Sequence, residues 1–192
     1  MVSVRVFCFV LVLLFLIVER LLELRSANRN FLQLLANGGK EFGSRHYRAI
    51  VVMHTAFFFS LVLEFTLRRA PVASFWAFSV ALLLLAQTLR LWSRRTMGER
   101  WTTRIVAVPN ERLLTNGPFR FLRHPIYIAV AMELFSVPLM FGLYFTCAFF
   151  TLLNALLLFV VRIPEEEQAL AWGQNSTMEA GTSELPGQDF VS

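Results

Sequence analysis

Arg123, His124 and Tyr127 fall within five positions of one another, and Arg162, Glu165, Glu166 and Glu167 fall within six. Guanidinium, imidazole, phenol and carboxylate groups in two compact clusters suit an ionic, amphipathic ligand. Carboxylates accept hydrogen bonds from hydroxyl and ammonium groups, guanidinium orients an oxyanion, and an aromatic face favours a cation. Between the clusters lies Pro125 to Val161, 37 residues with a single charge, Glu133. As one straight helix this stretch would rise about 55 Å, against a hydrocarbon core of about 30 Å. It must fold back, and a hairpin that leaves and re-enters one membrane face returns both clusters to the same interface.

Pro138 and Gly142 are the breakers within that stretch, predicting arms over Ile126–Val137 and Leu143–Val161. Ahead of it, Asn116-Gly117-Pro118-Phe119 has the composition of a turn, and Pro125 suits the first turn of a helix, with His124 at its N-cap. Each cluster also has a plainer reading. Arg120, Arg123 and His124 serve equally as interface anchors with Tyr127 in an aromatic belt, and Pro164 followed by three Glu is an ordinary helix start. The return of both ends to one place is what favours a site.

The rest of the chain is built to hold such a hairpin in a bilayer. Of its 192 residues 56% are hydrophobic and 20 are Phe, well above a soluble domain. Apolar spans are predicted over Val6–Leu24, Ala49–Leu67, Ala70–Leu89 and the hairpin. Glu19, Arg20 and Glu23 weaken the last third of the first span, and no small-residue cleavage site follows it, which argues against a removed signal peptide. His54, Glu64, Glu133 and Asn154 are expensive facing lipid and should face the bundle interior. Glu64 has Arg68 one turn on as a partner, and Arg94-Arg95 reads as an interface anchor.

Stretches 19–48 and 90–124 hold six and eight Lys/Arg, whereas the opposite side receives only Arg5, Arg68 and Arg69. The expected arrangement is five segments in the cytoplasmic membrane, N-terminus outside and C-terminus inside. The formal charge of +5 is then a topology signal, with no stacking platform for nucleic acid. Cys8, Cys147 and the three His lack the spacing of a disulfide framework or metal site, and no phosphate-binding glycine loop is present. The chain is expected to form one all-α transmembrane domain over 1–172, its site mainly from 116–170, with a disordered polar tail at 173–192.

S-adenosylmethionine carries ribose hydroxyls, an ammonium group and a sulfonium, which together match the clustered side chains. The pattern Arg123-His124-Pro125-x-Tyr127, an apolar hairpin, then Arg162-x-x-Glu165-Glu166 resembles the C-terminal signature of the isoprenylcysteine carboxyl methyltransferase family. Arg100-Trp101-Thr102-Thr103-Arg104 and Glu19-Arg20-Leu21-Leu22-Glu23-Leu24 are more similar to its bacterial branch, which includes enzymes of alkylpyrone and alkylresorcinol O-methylation. The resemblance spans most of residues 19–170, with Ala129 where a glycine often stands.

It implies a membrane-embedded, S-adenosylmethionine-dependent O-methyltransferase acting on a lipophilic or prenylated acceptor. Arg123, His124, Pro125, Tyr127, Glu165 and Glu166 would form the cofactor site. Arg162 and Glu165 would be catalytic, with Arg162 beside the transferred methyl orienting the acceptor oxygen. A rival reading is a non-catalytic scaffold or transporter subunit whose polar clusters only anchor helix ends.

Overall fold

The computed structural model describes residues 2–68, 74–109 and 114–183. It contains helices α1 (Val2–Ala36), α2 (Ser44–Leu67), α3 (Trp76–Met97), α4 (Pro125–Met140), α5 (Tyr144–Leu157) and α6 (Ile163–Ser183). A short antiparallel ribbon pairs β1 (Lys40–Phe42) with β2 (Ile105–Ala107). Three helical stretches, Ser44–Leu67, Trp76–Arg100 and Tyr144–Gly173, are long and apolar enough to cross a membrane, and α4 is a shorter apolar helix. The chain is thus an all-helical, membrane-type bundle.

Its core draws on every wall: Leu16 from α1, Phe57 and Leu61 from α2, Leu83 from α3, Leu134 and Val137 from α4, and Phe150 from α5. Large apolar side chains on the outer faces, such as Phe59, Leu152 and Phe159, are exposed, as a lipid-facing surface requires. At one end Phe9 stacks on Phe65 at 3.8 Å, and Arg5 donates to the Phe141 carbonyl at 3.0 Å. That contact ties α1 to the tip of the hairpin.

The hairpin turns three residues later than Pro138 suggests. Proline breaks a helix by withholding its N–H, yet near a C-terminus that loss matters little. Here α4 runs through Pro138 to Met140, and the reversal is made by Gly142, at φ 71°. The Leu143 amide donates to the Pro138 carbonyl at 2.9 Å and the Gly142 amide to Leu139 at 3.1 Å. This is a Schellman ending, with the residue after the glycine, Leu143, fully buried.

Other boundaries also move. Residues 25–36, beyond the predicted end of the first span at Leu24, continue α1, and α3 extends past Leu89 to Met97. The predicted start of the third span at Ala70 lies outside the described residues. α6 runs to Ser183, beyond Gly173, the predicted start of a disordered tail. Gln174, Met178, Glu179 and Ala180 are good helix formers, and extending an existing helix avoids a new nucleation step. Residues 184–192 lie outside the described residues.

The helical extensions of α1 and α3 carry their charges inward. Arg20 bridges Glu23 and Glu133, each at 2.7 Å, and Arg90 reaches Glu133 at 2.9 Å. Arg94 meets Glu23 at 3.1 Å, and Gln87 donates to Glu19 at 3.0 Å. Arg94 is therefore a bundle contact more than the interface anchor predicted for it. Arg90, Glu23 and Glu133 are 2%, 3% and 3% exposed, so α1, α3 and α4 are joined by a buried network. Three guanidinium groups face three carboxylates, which is the balance a low-dielectric interior demands.

Glu64 also does more than pair with Arg68, which lies 3.2 Å away. Its carboxylate accepts the Thr146 amide at 2.8 Å and the Phe145 amide at 3.2 Å, satisfying first-turn donors of α5. Glu64→Ala leaves those amides buried without acceptors, and a loss of about 1 to 3 kcal/mol is expected. The midpoint of thermal unfolding in detergent reads it, and Glu64→Gln, which keeps one acceptor oxygen, should lose less.

Candidate functional site

His124 is the N-cap of α4 and Pro125 its first residue, so the imidazole stands at the mouth of the helix. Pro125 is fully buried and has no polar side chain, so its part is to set the helix entry. One turn in, Tyr127 lies nearly parallel to the His124 ring, centroids 5.2 Å apart. The other arm arrives through an unusual turn. α5 and α6 are joined by a π turn, Leu158–Arg162, in which the Ile163 amide reaches back to Leu158. Pro164 cannot donate to Val160, so the ordinary ladder fails there and the wider turn replaces it. Pro164 thus follows a π turn inside one continuous helix and does not start a separate one.

That turn aims three charged residues along different directions. The Arg162 Nε donates to the Tyr127 hydroxyl at 3.1 Å and its Nη2 to the Thr103 carbonyl at 2.8 Å. Tyr127 in turn donates to Glu166, whose carboxylate lies 3.8 Å from His124 Nδ1. Arg162, Tyr127, Glu166 and His124 therefore form one chain of contacts across the two arms.

Glu165 belongs to a second flank. Consecutive helical residues diverge by about 100°, and Glu165 points at α2, 3.3 Å from His46 Nδ1 and against Gly43, the N-cap of α2. A Cβ on Gly43 would sit 3.4 Å from the Glu165 carboxyl carbon, and its φ of 62° favours glycine as well. A small cavity of about 10 Å³ lies between the flanks, lined by His46, Tyr47, Arg162 and Glu165 among others. Arg123 stands apart. It pairs with Glu167 at 3.2 Å with 71% of its side chain exposed, a rim contact worth little.

Residues outside the two end clusters are brought to the site by the ribbon. Pairing of Lys40–Phe42 with Ile105–Ala107 draws segment 101–104 against the start of α2. Tyr47 and Thr103 hydroxyls meet at 3.3 Å, and the Arg104 guanidinium lies 4.7 Å from both the Phe31 and the Tyr47 ring. Gly43 and the run Arg100–Arg104 were the visible signals; three-residue strands leave no periodicity to read.

A helical membrane bundle with an ionic site at one end of its hairpin is the class that fold and site define. Residues 79–172 match the isoprenylcysteine carboxyl methyltransferase family, and the chain belongs to it. It is 37% identical over 162 residues to the uncharacterized protein YpbQ of Bacillus subtilis, covering 84% of this chain and 96% of the relative. An uncharacterized protein of Haemophilus influenzae is 28% identical over 143 residues, covering 72% and 80%. No solved structure matches the chain. The family is one of methyltransferases, and the Arg123–Tyr127 and Arg162–Glu167 clusters lie within the matched segment.

The donor set fits S-adenosylmethionine in kind. Glu165 and Glu166 offer partly exposed carboxylates for hydroxyl and ammonium groups, and the stacked His124–Tyr127 pair offers an aromatic face. Of the clustered side chains only Arg162 and Glu165 border the cavity of about 10 Å³, and a ligand reaching Glu166 and Tyr127 would have to displace the contact between them.

Proposed function

We propose that this protein is an S-adenosylmethionine-dependent O-methyltransferase of a lipophilic acceptor, seated in the cytoplasmic membrane with its C-terminus inside. The convergence of Arg162, Tyr127 and Glu166 at the open end of the hairpin carries this reading. When bound, the cofactor supplies an electrophilic methyl on sulfur, which passes to the acceptor oxygen as the C–S bond breaks and its electron pair stays with sulfur. Glu166 and Glu165 hold the hydroxyl and ammonium groups, and Tyr127 presents its ring to the cation. Arg162, braced by Tyr127 and Thr103, orients the acceptor oxygen and balances its charge. Alignment and exclusion of water are the main tasks in such a displacement. A carboxylate acceptor needs no base, whereas a hydroxyl acceptor must lose a proton, and His46 beside the Arg162 cavity is placed to take it.

Calorimetric titration of the detergent-purified protein with S-adenosylhomocysteine tests the reading. Micromolar binding is expected, weakened at least tenfold in Glu166→Ala by loss of a charge-assisted contact. No binding by a folded sample would leave a non-catalytic scaffold as the better account.

A further inference from the structure

The run Arg100-Trp101-Thr102-Thr103-Arg104 has no part in the chemistry above, yet the Thr103 carbonyl is one of the two acceptors that fix Arg162. Residues 101–104 belong to neither a helix nor a strand. A carbonyl in irregular chain is a poor brace unless other contacts hold the segment still. Here each residue of the segment is tied down. The Trp101 carbonyl accepts from Asn30 of α1 at 2.8 Å, and both residues are buried. The Thr102 hydroxyl accepts the Arg104 amide at 3.1 Å, closing a local turn. The Thr103 hydroxyl meets that of Tyr47.

Arg104 makes the widest connection of the four. Its Nη1 donates to Glu41 of β1 at 2.9 Å, and its guanidinium lies over the rings of Phe31 on α1 and Tyr47 on α2. A planar guanidinium can stack on rings and donate from its edge at the same time, which an ammonium cannot do. Two of these contacts lead back to Arg162. Tyr47 is the residue whose hydroxyl meets Thr103. Glu41 stands opposite Val106 in the ribbon, so its ion pair with Arg104 clamps the chain to β1 just ahead of the Phe42–Ile105 pair. The side chain is 34% exposed, against 71% for the rim residue Arg123, as a held group should be.

We propose that Arg104 is a positioning residue: by clamping segment 101–104 to α1, β1 and α2 it sets the Thr103 carbonyl that aims the Arg162 guanidinium. Its effect on methyl transfer is indirect and passes through Arg162. The inference rests on the methyltransferase reading for its catalytic consequence, though the hold on Arg162 is measurable without turnover.

The test follows Arg162 directly, by heteronuclear NMR of the detergent-solubilised protein labelled at the arginine side-chain nitrogens, the Arg162 signal being the one lost in Arg162→Lys. Arg104→Met keeps the apolar stem and removes the clamp. It should shift or broaden the Arg162 signal and lower kcat by about 10- to 100-fold, the cost of a misplaced group, with KM for S-adenosylmethionine within about twofold of the parent. Arg104→Lys keeps a cation for Glu41 but no plane for the two rings, so it should show both effects at reduced size, and it serves where Arg104→Met does not fold. Added to Arg162→Ala, Arg104→Met should cause no further loss of turnover, because it acts through that residue. An unchanged Arg162 signal in the folded variants, an unchanged kcat, or full additivity of the two losses overturns the assignment and leaves the methyltransferase reading standing. A shifted signal in a protein that neither binds S-adenosylhomocysteine nor methylates an alkylresorcinol or a prenylcysteine keeps the clamp and overturns the catalytic reading instead.

Discussion

Arg162→Ala is expected to lower kcat/KM for methyl transfer by about 100- to 1,000-fold, the range for removing one preorganised group that faces charge at the reacting centre. The residue bridges three parts of the molecule: its own π turn, the Tyr127 hydroxyl on α4 and the Thr103 carbonyl beyond α3. On the proposed function, losing it removes the cation that would face the acceptor, and it frees the Tyr127 hydroxyl from one of its two partners. Arg162→Lys keeps the charge and loses the fork that reaches two acceptors at once, so most of the defect should remain. The measurement is initial-rate kinetics with an alkylresorcinol and a prenylcysteine acceptor, alongside S-adenosylhomocysteine titration. A variant that binds S-adenosylhomocysteine within threefold of the parent yet turns over slowly would fit the role. Unimpaired turnover in Arg162→Ala would remove the residue from the chemistry.

Glu133→Ala is expected to destabilise the bundle by about 3 to 5 kcal/mol, because it strips the nearest carboxylate from buried Arg90, leaving Glu23 at 3.6 Å, and one of two carboxylates from Arg20. For a chain of this size that corresponds to a fall of about 6 to 20 °C in Tm. A buried ion network costs desolvation of every member, so the loss measures the penalty of leaving two buried guanidinium groups to share Glu23 more than the worth of the pair. The double variant Arg90→Met with Glu133→Met should therefore recover part of the loss, and that recovery is the diagnostic result. Should Glu133→Ala melt within 2 °C of the parent, water must already reach Arg90, contrary to its 2% exposure.

Much of this architecture was legible in the residues. The 37-residue stretch with one charge requires a reversal, and the Arg-His-Pro-x-Tyr and Arg-x-x-Glu-Glu clusters at its ends are necessarily returned to one face. Length, transfer cost and helical rise are properties of a segment taken alone, which is why composition carries them. Polar groups at Glu64 and Glu133 likewise announce inward facing, since lipid offers them nothing.

Which partners they find is another matter. Arg20 meets Glu133 across 113 residues, and Glu64 meets the α5 amides across more than eighty, through helix rotations that only packing decides. Glu165 and Glu166 are adjacent letters, yet the π turn and the helical twist send one to His46 and the other to Tyr127. The sequence by itself determined a membrane hairpin with an ionic mouth, because periodicity and transfer energy are local and additive. The tertiary structure alone decided the buried network, the two flanks of the site and the cavity beside Tyr47. Those depend on the register between helices, to which each local segment is indifferent.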